Sequence, residues 1–219
     1  QFPKFIDDVF SIENIEPKKF ILPTAETALV NMHRDEILKE EDLPLKYFAY
    51  TPCYRKEAGA YRTEERGMIR GYQFNKVEMF QYTTEEGDQP AFEELVGKAI
   101  SLMEKLGLTF RVSKLAAEDI SASMARTYDI EVYLPSVGIY KEVSSVSTAH
   151  DYQARRGMIR YREKETGKVK YARTLNGSGL ATSRIFPALV EQNQLPDGSV
   201  KIPEVLQPFM GGLKIIKKQ

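Results

Sequence analysis

The chain of 219 residues contains a single cysteine, Cys53, so it cannot form an internal disulfide. Its only histidines are His33 and His150, and together with Cys53 they are too few to suggest a zinc centre. No apolar run reaches the length of a bilayer span, and no secretory leader is evident at the start. Charge of one sign is also missing. The 31 basic residues balance the 31 acidic ones, so no overall field draws the protein to nucleic acid or to a membrane surface. These absences lead to the expectation of a cytoplasmic protein that does not associate with membranes. The remaining composition is that of an ordinary globular chain, with 42% hydrophobic and 28% charged residues. That length suits one large domain or two small ones.

Along the chain there is no internal repeat and no low-complexity linker. Phe20 to Leu22 is a short apolar run ended by Pro23. Thr24 is placed to cap a helix in which Ala28, Leu29, Met32 and Ile37 form a loose stripe. Tyr47 to Arg55 and Tyr72 to Tyr82 read as strands, and the charged segment between them marks an antiparallel pair. A helix is predicted over Gln89 to Leu106, with Asp88 as its cap and Gly107 as its stop. Further strands are predicted at Phe110 to Leu115, around Ile130, Val132 and Leu134, and at Tyr140 to Ser145. The β pattern continues at Ile159 to Glu163 and Val169 to Leu175, with a turn at Thr166-Gly167. A last helix is predicted from Ser178 to Asn193, followed by a turn at Pro196-Asp197-Gly198. Strands adjacent in sequence, joined by short turns and accompanied by helices, favour an α+β fold: a mainly antiparallel sheet flanked by helices.

Two segments stand out. The first is Tyr50-Thr51-Pro52-Cys53-Tyr54-Arg55-Lys56-Glu57-Ala58-Gly59, resumed at Gln73-Phe74-Asn75-Lys76-Val77-Glu78. The second is Thr174-Leu175-Asn176-Gly177-Ser178-Gly179-Leu180-Ala181-Thr182-Ser183-Arg184. Each places an arginine where a strand meets a loop or helix, and arginine is suited to bidentate recognition of phosphate or carboxylate. Read singly, Arg55 is as well explained by a surface ion pair, Phe74 by a core position and Arg184 by a solvated helix face. Gly177-Ser178-Gly179 lacks the lysine of a phosphate-binding P-loop.

Taken together, the two segments resemble motifs two and three of a class II aminoacyl-tRNA synthetase, and specifically of the seryl-tRNA synthetase family. Pro23-Thr24-Ala25-Glu26, Glu142-Val143-Ser144-Ser145, Gln153-Ala154-Arg155-Arg156 and the stretch from Pro203 to Gly212 match that family in order. The resemblance implies the class II catalytic-core fold, a single aminoacylation domain over residues 1–219, and ATP with Mg²⁺ as cofactors. It also implies L-serine and the acceptor end of serine tRNA as partners. The expected reaction is activation of serine to seryl-adenylate and its transfer to tRNA. The family's helical tRNA-binding arm and its dimer-forming motif one lie upstream of the matching region, so the chain reads as a core without them, in a family that is homodimeric.

The resemblance also assigns roles. Arg55 bridges the substrate carboxylate and the α-phosphate, and Arg55 and Arg184 together carry the catalytic charge stabilisation. ATP is met by Arg55, Lys56, Glu57, Gly71, Phe74, Glu142, Val143, Ser144, Ser145 and Arg184. Adenine stacks on Phe74, an interaction typically worth ~1–3 kcal/mol per base. Glu142 and Ser145 hold Mg²⁺ on the triphosphate, hard oxygen donors suiting that ion. Serine is met by Thr24, Ala25, Glu26, Arg55, Glu78, Asn176 and Ser178. Two alternatives remain open at this point: a serine-activating relative that loads a carrier protein, and a non-catalytic binding or regulatory relative.

Overall fold

A computed structural model describes residues 6–56, 69 and 71–217. The described elements, in chain order, begin with the hairpin β1 (Ser11–Ile12) and β2 (Lys19–Phe20), then α1 (Glu26–Leu29), β3 (Ile37–Lys39), β4 (Leu45–Tyr54) and β5 (Gln73–Thr83). There follow α2 (Asp88–Lys105), β6 (Phe110–Lys114), β7 (Arg126–Leu134), β8 (Ile139–Thr148) and α3 (Tyr152–Gly157). The chain then runs through β9 (Arg160–Arg162), β10 (Val169–Tyr171), β11 (Arg173–Ala181), α4 (Thr182–Gln192), β12 (Val200–Lys201) and β13 (Ile215–Ile216).

Six strands form one sheet in the order β4-β5-β11-β8-β7-β6, and every neighbouring pair is antiparallel. A three-stranded sheet, β10-β9-β3, is mixed, with β3 and β9 parallel. The α+β expectation is met, and β4 and β5 pair as anticipated.

The sheet's two faces have different jobs, which follows from the two-residue alternation of strand side chains. Ala91, Phe92, Leu95, Ala99 and Met103 of α2 pack on one face, against Ile130, Val132, Val146 and Leu175, joined by Ile185 and Ala188 of α4. The other face carries a second core at one end, where Phe80 and Tyr82 of β5 meet Ala25, Leu29, Ala154, Ile159 and Tyr161. Beyond that core the same face opens into a polar cleft. Along β5 the cleft-side residues Lys76 and Glu78 therefore continue the row of Phe80 and Tyr82.

Several sequence readings need correction. The first helix is a single turn, Glu26–Leu29. Met32 lies in exposed turns after it, and exposed Ile37 sits on strand β3. Asp88 is the first residue of α2 rather than its cap, and its carboxylate accepts a hydrogen bond from Thr148 Oγ1 at 2.7 Å. Gly107, in the left-handed region at φ +67°, follows the helix end as read. The region read as one strand from Val169 to Leu175 is two strands in different sheets, β10 and β11. The largest difference concerns Asn176 to Ala181, which belong to β11; the last helix begins only at Thr182. Cross-strand pairing with β5 and β8 holds this glycine-rich stretch extended. The segment 57–68 between β4 and β5, with Glu57, lies outside the described residues.

Two irregularities shape the cleft. The register of β11 against β5 slips at Gly179, between Ser178 (opposite Glu78) and Leu180 (opposite Val77). The register of β8 against β7 slips at Val143, between Ser144 (opposite Ile130) and Glu142 (opposite Glu131). Each is a one-residue bulge. A Cβ on Gly179 would lie 2.8 Å from Val77 Cγ1 and 3.1 Å from Val77 Cβ, a clash with a stiff, branched side chain. Gly179→Ala should therefore destabilise the protein by about 1–3 kcal/mol in chemical denaturation, the usual cost of overpacking. Gly97, inside α2 with nothing near its missing Cβ, makes the contrast: Gly97→Ala should stabilise by about 0.4–1 kcal/mol. Equal effects of the two substitutions would show that the close approach at Gly179 is not what demands glycine.

Candidate active site

The cleft has a volume of about 450 Å³. Arg55 follows β4 directly. Its backbone N–H donates to Tyr72 O at 3.0 Å and its Nε to Pro23 O at 3.1 Å. Its guanidinium carbon lies 5.4 Å from the centre of the Phe74 ring, within cation–π range. Arg184 is in the first turn of α4, nearer the helix start than its sequence position suggested. Its Nη1 donates to the backbone oxygen of Glu142 at 3.1 Å and to Glu142 Oε2 at 3.2 Å. Both arginines line the one cleft, together with Gly71, Phe74, Glu142, Val143, Ser145, Asn176 and Ser178.

Glu142 and Ser145 are three residues apart, a spacing that in a regular strand points side chains to opposite faces. The bulge at Val143 brings both to the cleft. Ser145 lies opposite Asp129 of β7 and hydrogen-bonds to its carboxyl. Burial, and then the charge of Glu142, push Asp129 up to about 6, against the pull of the Ser145 hydrogen bond. Asp129 Oδ1 is buried and has no hydrogen-bond partner among the described residues. Hard oxygens from Glu142, Ser145 and Asp129 thus gather on one wall. No three His, Cys, Asp or Glu side chains among the described residues form a closed metal cage. Such a set fits a cation held mainly by phosphate and water, as Mg²⁺ usually is.

The floor is a connected polar network. Gln153 Nε2 donates to Glu26 Oε1 at 2.8 Å, and Gln153 Oε1 accepts from Thr174 Oγ1 at 2.7 Å. Asn176 Nδ2 reaches Glu78 Oε1 at 3.1 Å and Glu26 Oε2 at 3.5 Å. Lys76 forms an ion pair with Glu78 and donates to Thr24 Oγ1 at 2.8 Å. The same Thr24 oxygen accepts the backbone N–H of Glu26 at 3.3 Å, so Thr24 does bond to the first turn of α1. Burial first, and then the neighbouring Glu78 carboxylate, raise Glu26 above the ordinary carboxylate range; Gln153, Lys76 and Arg55 oppose the rise.

Thr24 and Glu78 are buried beneath the lining of the cleft, within this network, and three other anticipated residues stand elsewhere. Ala25 packs in the second core beside Phe80 and Tyr82, so its side chain does not reach the cleft. Ser144 points to a neighbouring strand, donating to Ser178 O at 2.6 Å. Lys56 is exposed, its ammonium 5.7 Å from the Phe10 ring centre. Lys76 and Gln153 in the network, and Asp129 on the wall beside Ser145, gain roles that sequence reasoning had not given them. For Lys76 the signal was there: it stands two residues from Glu78, on the same strand face.

Residues 9–193 match the family of tRNA synthetase class II core domains (G, H, P, S and T), and the chain belongs to that family. Within it, the chain is 65% identical over 218 residues to serine--tRNA ligase 2 of Clostridium acetobutylicum, an alignment covering 98% of this chain and 51% of that protein. Among solved structures it resembles seryl-tRNA synthetase from Pyrococcus horikoshii complexed with ATP, with TM-score 0.93 and 39% identity over 100% of this chain and 48% of that one. The cytoplasmic serine-tRNA ligase of Naegleria fowleri in complex with AMP is similar at TM-score 0.91 and 32% identity, covering 100% of this chain and 51% of that one. The chain thus spans about half the length of the relatives it matches. No helix among the described residues is long and apolar enough to cross a membrane.

Proposed function

We propose that this chain is a catalytic domain, over residues 1–219, that activates L-serine with ATP and passes the seryl group to the 3′ end of serine tRNA. The observation that carries this reading is the charge layout of the cleft: Arg55 and Arg184 line it, and so does Glu26, with the buried Glu78 carboxylate linked to it through Asn176. The arginines suit a carboxylate and phosphates; the floor suits an ammonium and a hydroxyl.

In the forward step, a serine carboxylate oxygen attacks the α-phosphorus of ATP. The bond from that phosphorus to the α–β bridging oxygen breaks, and pyrophosphate leaves. Arg55 holds the attacking carboxylate beside the α-phosphate, converting an encounter of two anions into a positioned pair. Arg184 stabilises charge on the departing phosphates from the first turn of α4. Phe74 offers its ring to adenine. Glu26 takes the serine ammonium, while Glu78 and Ser178 face the side chain. Glu142 and Ser145, with Asp129 behind them, would hold Mg²⁺, which when bound neutralises triphosphate charge. The relatives named as ATP and AMP complexes support an adenine nucleotide as the second substrate.

Serine-dependent ATP–pyrophosphate exchange in the presence of Mg²⁺ is the direct test. Exchange should rise with serine and saturate, whereas equal rates with and without serine would refute the assignment. Charging of purified serine tRNA, set against loading of a carrier protein, then identifies the acceptor.

A further inference from the structure

The floor of the cleft has an imbalance of charge. Glu78 is fully buried and Glu26 is half-buried at the cleft; Lys76 pairs with Glu78, while Lys76 and Arg55 act on Glu26 only at longer range. An ionised carboxylate in such a setting is costly, so Glu26 gains when a ligand brings a positive group against it. Hydrogen-bond capacity says where that group goes. A hydroxyl oxygen has two lone pairs. Those of Thr24 are taken by the Lys76 ammonium at 2.8 Å and by the Glu26 backbone N–H at 3.3 Å. Thr24 therefore has no lone pair left for a ligand ammonium; it offers its proton instead. Glu78 receives Asn176 on one oxygen and faces Lys76 with the other. Among the described residues Glu26 has no cation within ion-pair distance; its carboxylate is bound by two neutral amides.

We infer that Lys76 is a positioning residue that sets specificity in this pocket: it commits Glu78 and the Thr24 hydroxyl to a small hydroxyl-bearing side chain and leaves Glu26 to take the ligand ammonium. This rests on the reading of the cleft as an amino-acid site. Without Lys76, Glu78 is a second uncompensated anion. It then competes for the ammonium or takes up a proton, and in either case it no longer presents a fixed acceptor to a hydroxyl. A pocket built around fixed polar partners rejects a ligand lacking the hydroxyl; one with slack partners does not.

The test is calorimetric binding of serine, alanine and ATP, each separately, to the full chain and its variants. If the unaltered chain binds no serine, the amino-acid reading itself fails, and the role of Lys76 is not what has been tested. If it binds serine in preference to alanine, Lys76→Met should weaken serine by at least about tenfold, as expected for loss of a charged partner. Alanine should change by less than about threefold and ATP by less than about twofold, since neither uses the committed groups. Lys76→Arg, which keeps the cation, should restore part of the serine preference. Because Lys76→Met strands a buried carboxylate and risks the fold, Lys76→Met combined with Glu78→Gln removes both charges together. That double variant should also fail to prefer serine, and should bind serine no more weakly than Lys76→Met alone. Equal losses for serine, alanine and ATP would mark a purely structural role and overturn the inference. So would an intact serine preference in either neutral variant.

Discussion

Arg55→Ala should lower serine-dependent pyrophosphate exchange by at least tenfold. A single charge-assisted contact is worth about 1.5–3 kcal/mol, or roughly 10- to 150-fold in rate if it acts in the transition state. Arg55 is placed to serve two anions, so the loss belongs at the upper end of that range. The side chain is also anchored: Nε holds Pro23 O, and the guanidinium lies against the Phe74 ring. Lysine reproduces the charge but neither the fork nor that anchoring, so Arg55→Lys should recover only a fraction of the rate. The Pro23 contact ties Arg55 to the segment that carries Thr24 and Glu26. A modest shift in the serine KM should therefore accompany the larger fall in kcat. Exchange at the unaltered rate in Arg55→Ala would remove this residue from the reaction.

Glu26→Gln should weaken serine binding by about 10- to 100-fold, because the neutral amide cannot pair with an ammonium. The same substitution should help the empty protein. The Glu26 carboxyl is raised above its ordinary value of 4.5, chiefly by burial and next by Glu78. A carboxyl whose pKa is raised by folding prefers its proton in the folded state. Its contribution to stability is full below 4.5 and is lost as pH climbs through the raised value. Unliganded wild-type protein should thus lose this part of its stability across the window above the ordinary carboxylate range, and Glu26→Gln should not. Serine reverses the sign, since its ammonium favours the ionised carboxylate; the stabilisation it confers should grow through the same window. Thermal unfolding of both proteins, with and without serine, from pH 5 to 8 reads both effects. Parallel pH curves for wild type and Glu26→Gln would contradict the argument.

Much of this was legible from residue order. The pairing of β4 with β5 followed from two strand-like runs about a charged segment, and the end of α2 from Gly107. Arg55, Phe74, Glu142, Ser145, Asn176, Ser178 and Arg184 do line one cleft. The strand assignment failed at Gly177-Ser178-Gly179, because glycine and serine favour turns locally and only pairing with β5 and β8 holds them extended. The first helix was overextended because Met32 and Ile37 fit a helical stripe by spacing alone. Asp129 was read as part of the polar face of a half-buried strand. Its neighbour Ser145 is 16 positions away in sequence and becomes a partner only through the register of β7 and β8.

The bulges at Val143 and Gly179 change the phase of two neighbouring strands. Along β8, where Val146 packs under α2 and Ser145 and Ser147 line the cleft, the kind of side chain tolerated should alternate every second residue from Thr148 back to Ser144, slip by one at Val143, and then resume. The same slip should occur at Gly179 on β11. A mutational scan of this sheet would therefore show two strands that each keep time in twos yet drop a beat beside the cleft, marking the site by rhythm even where residue identity says nothing.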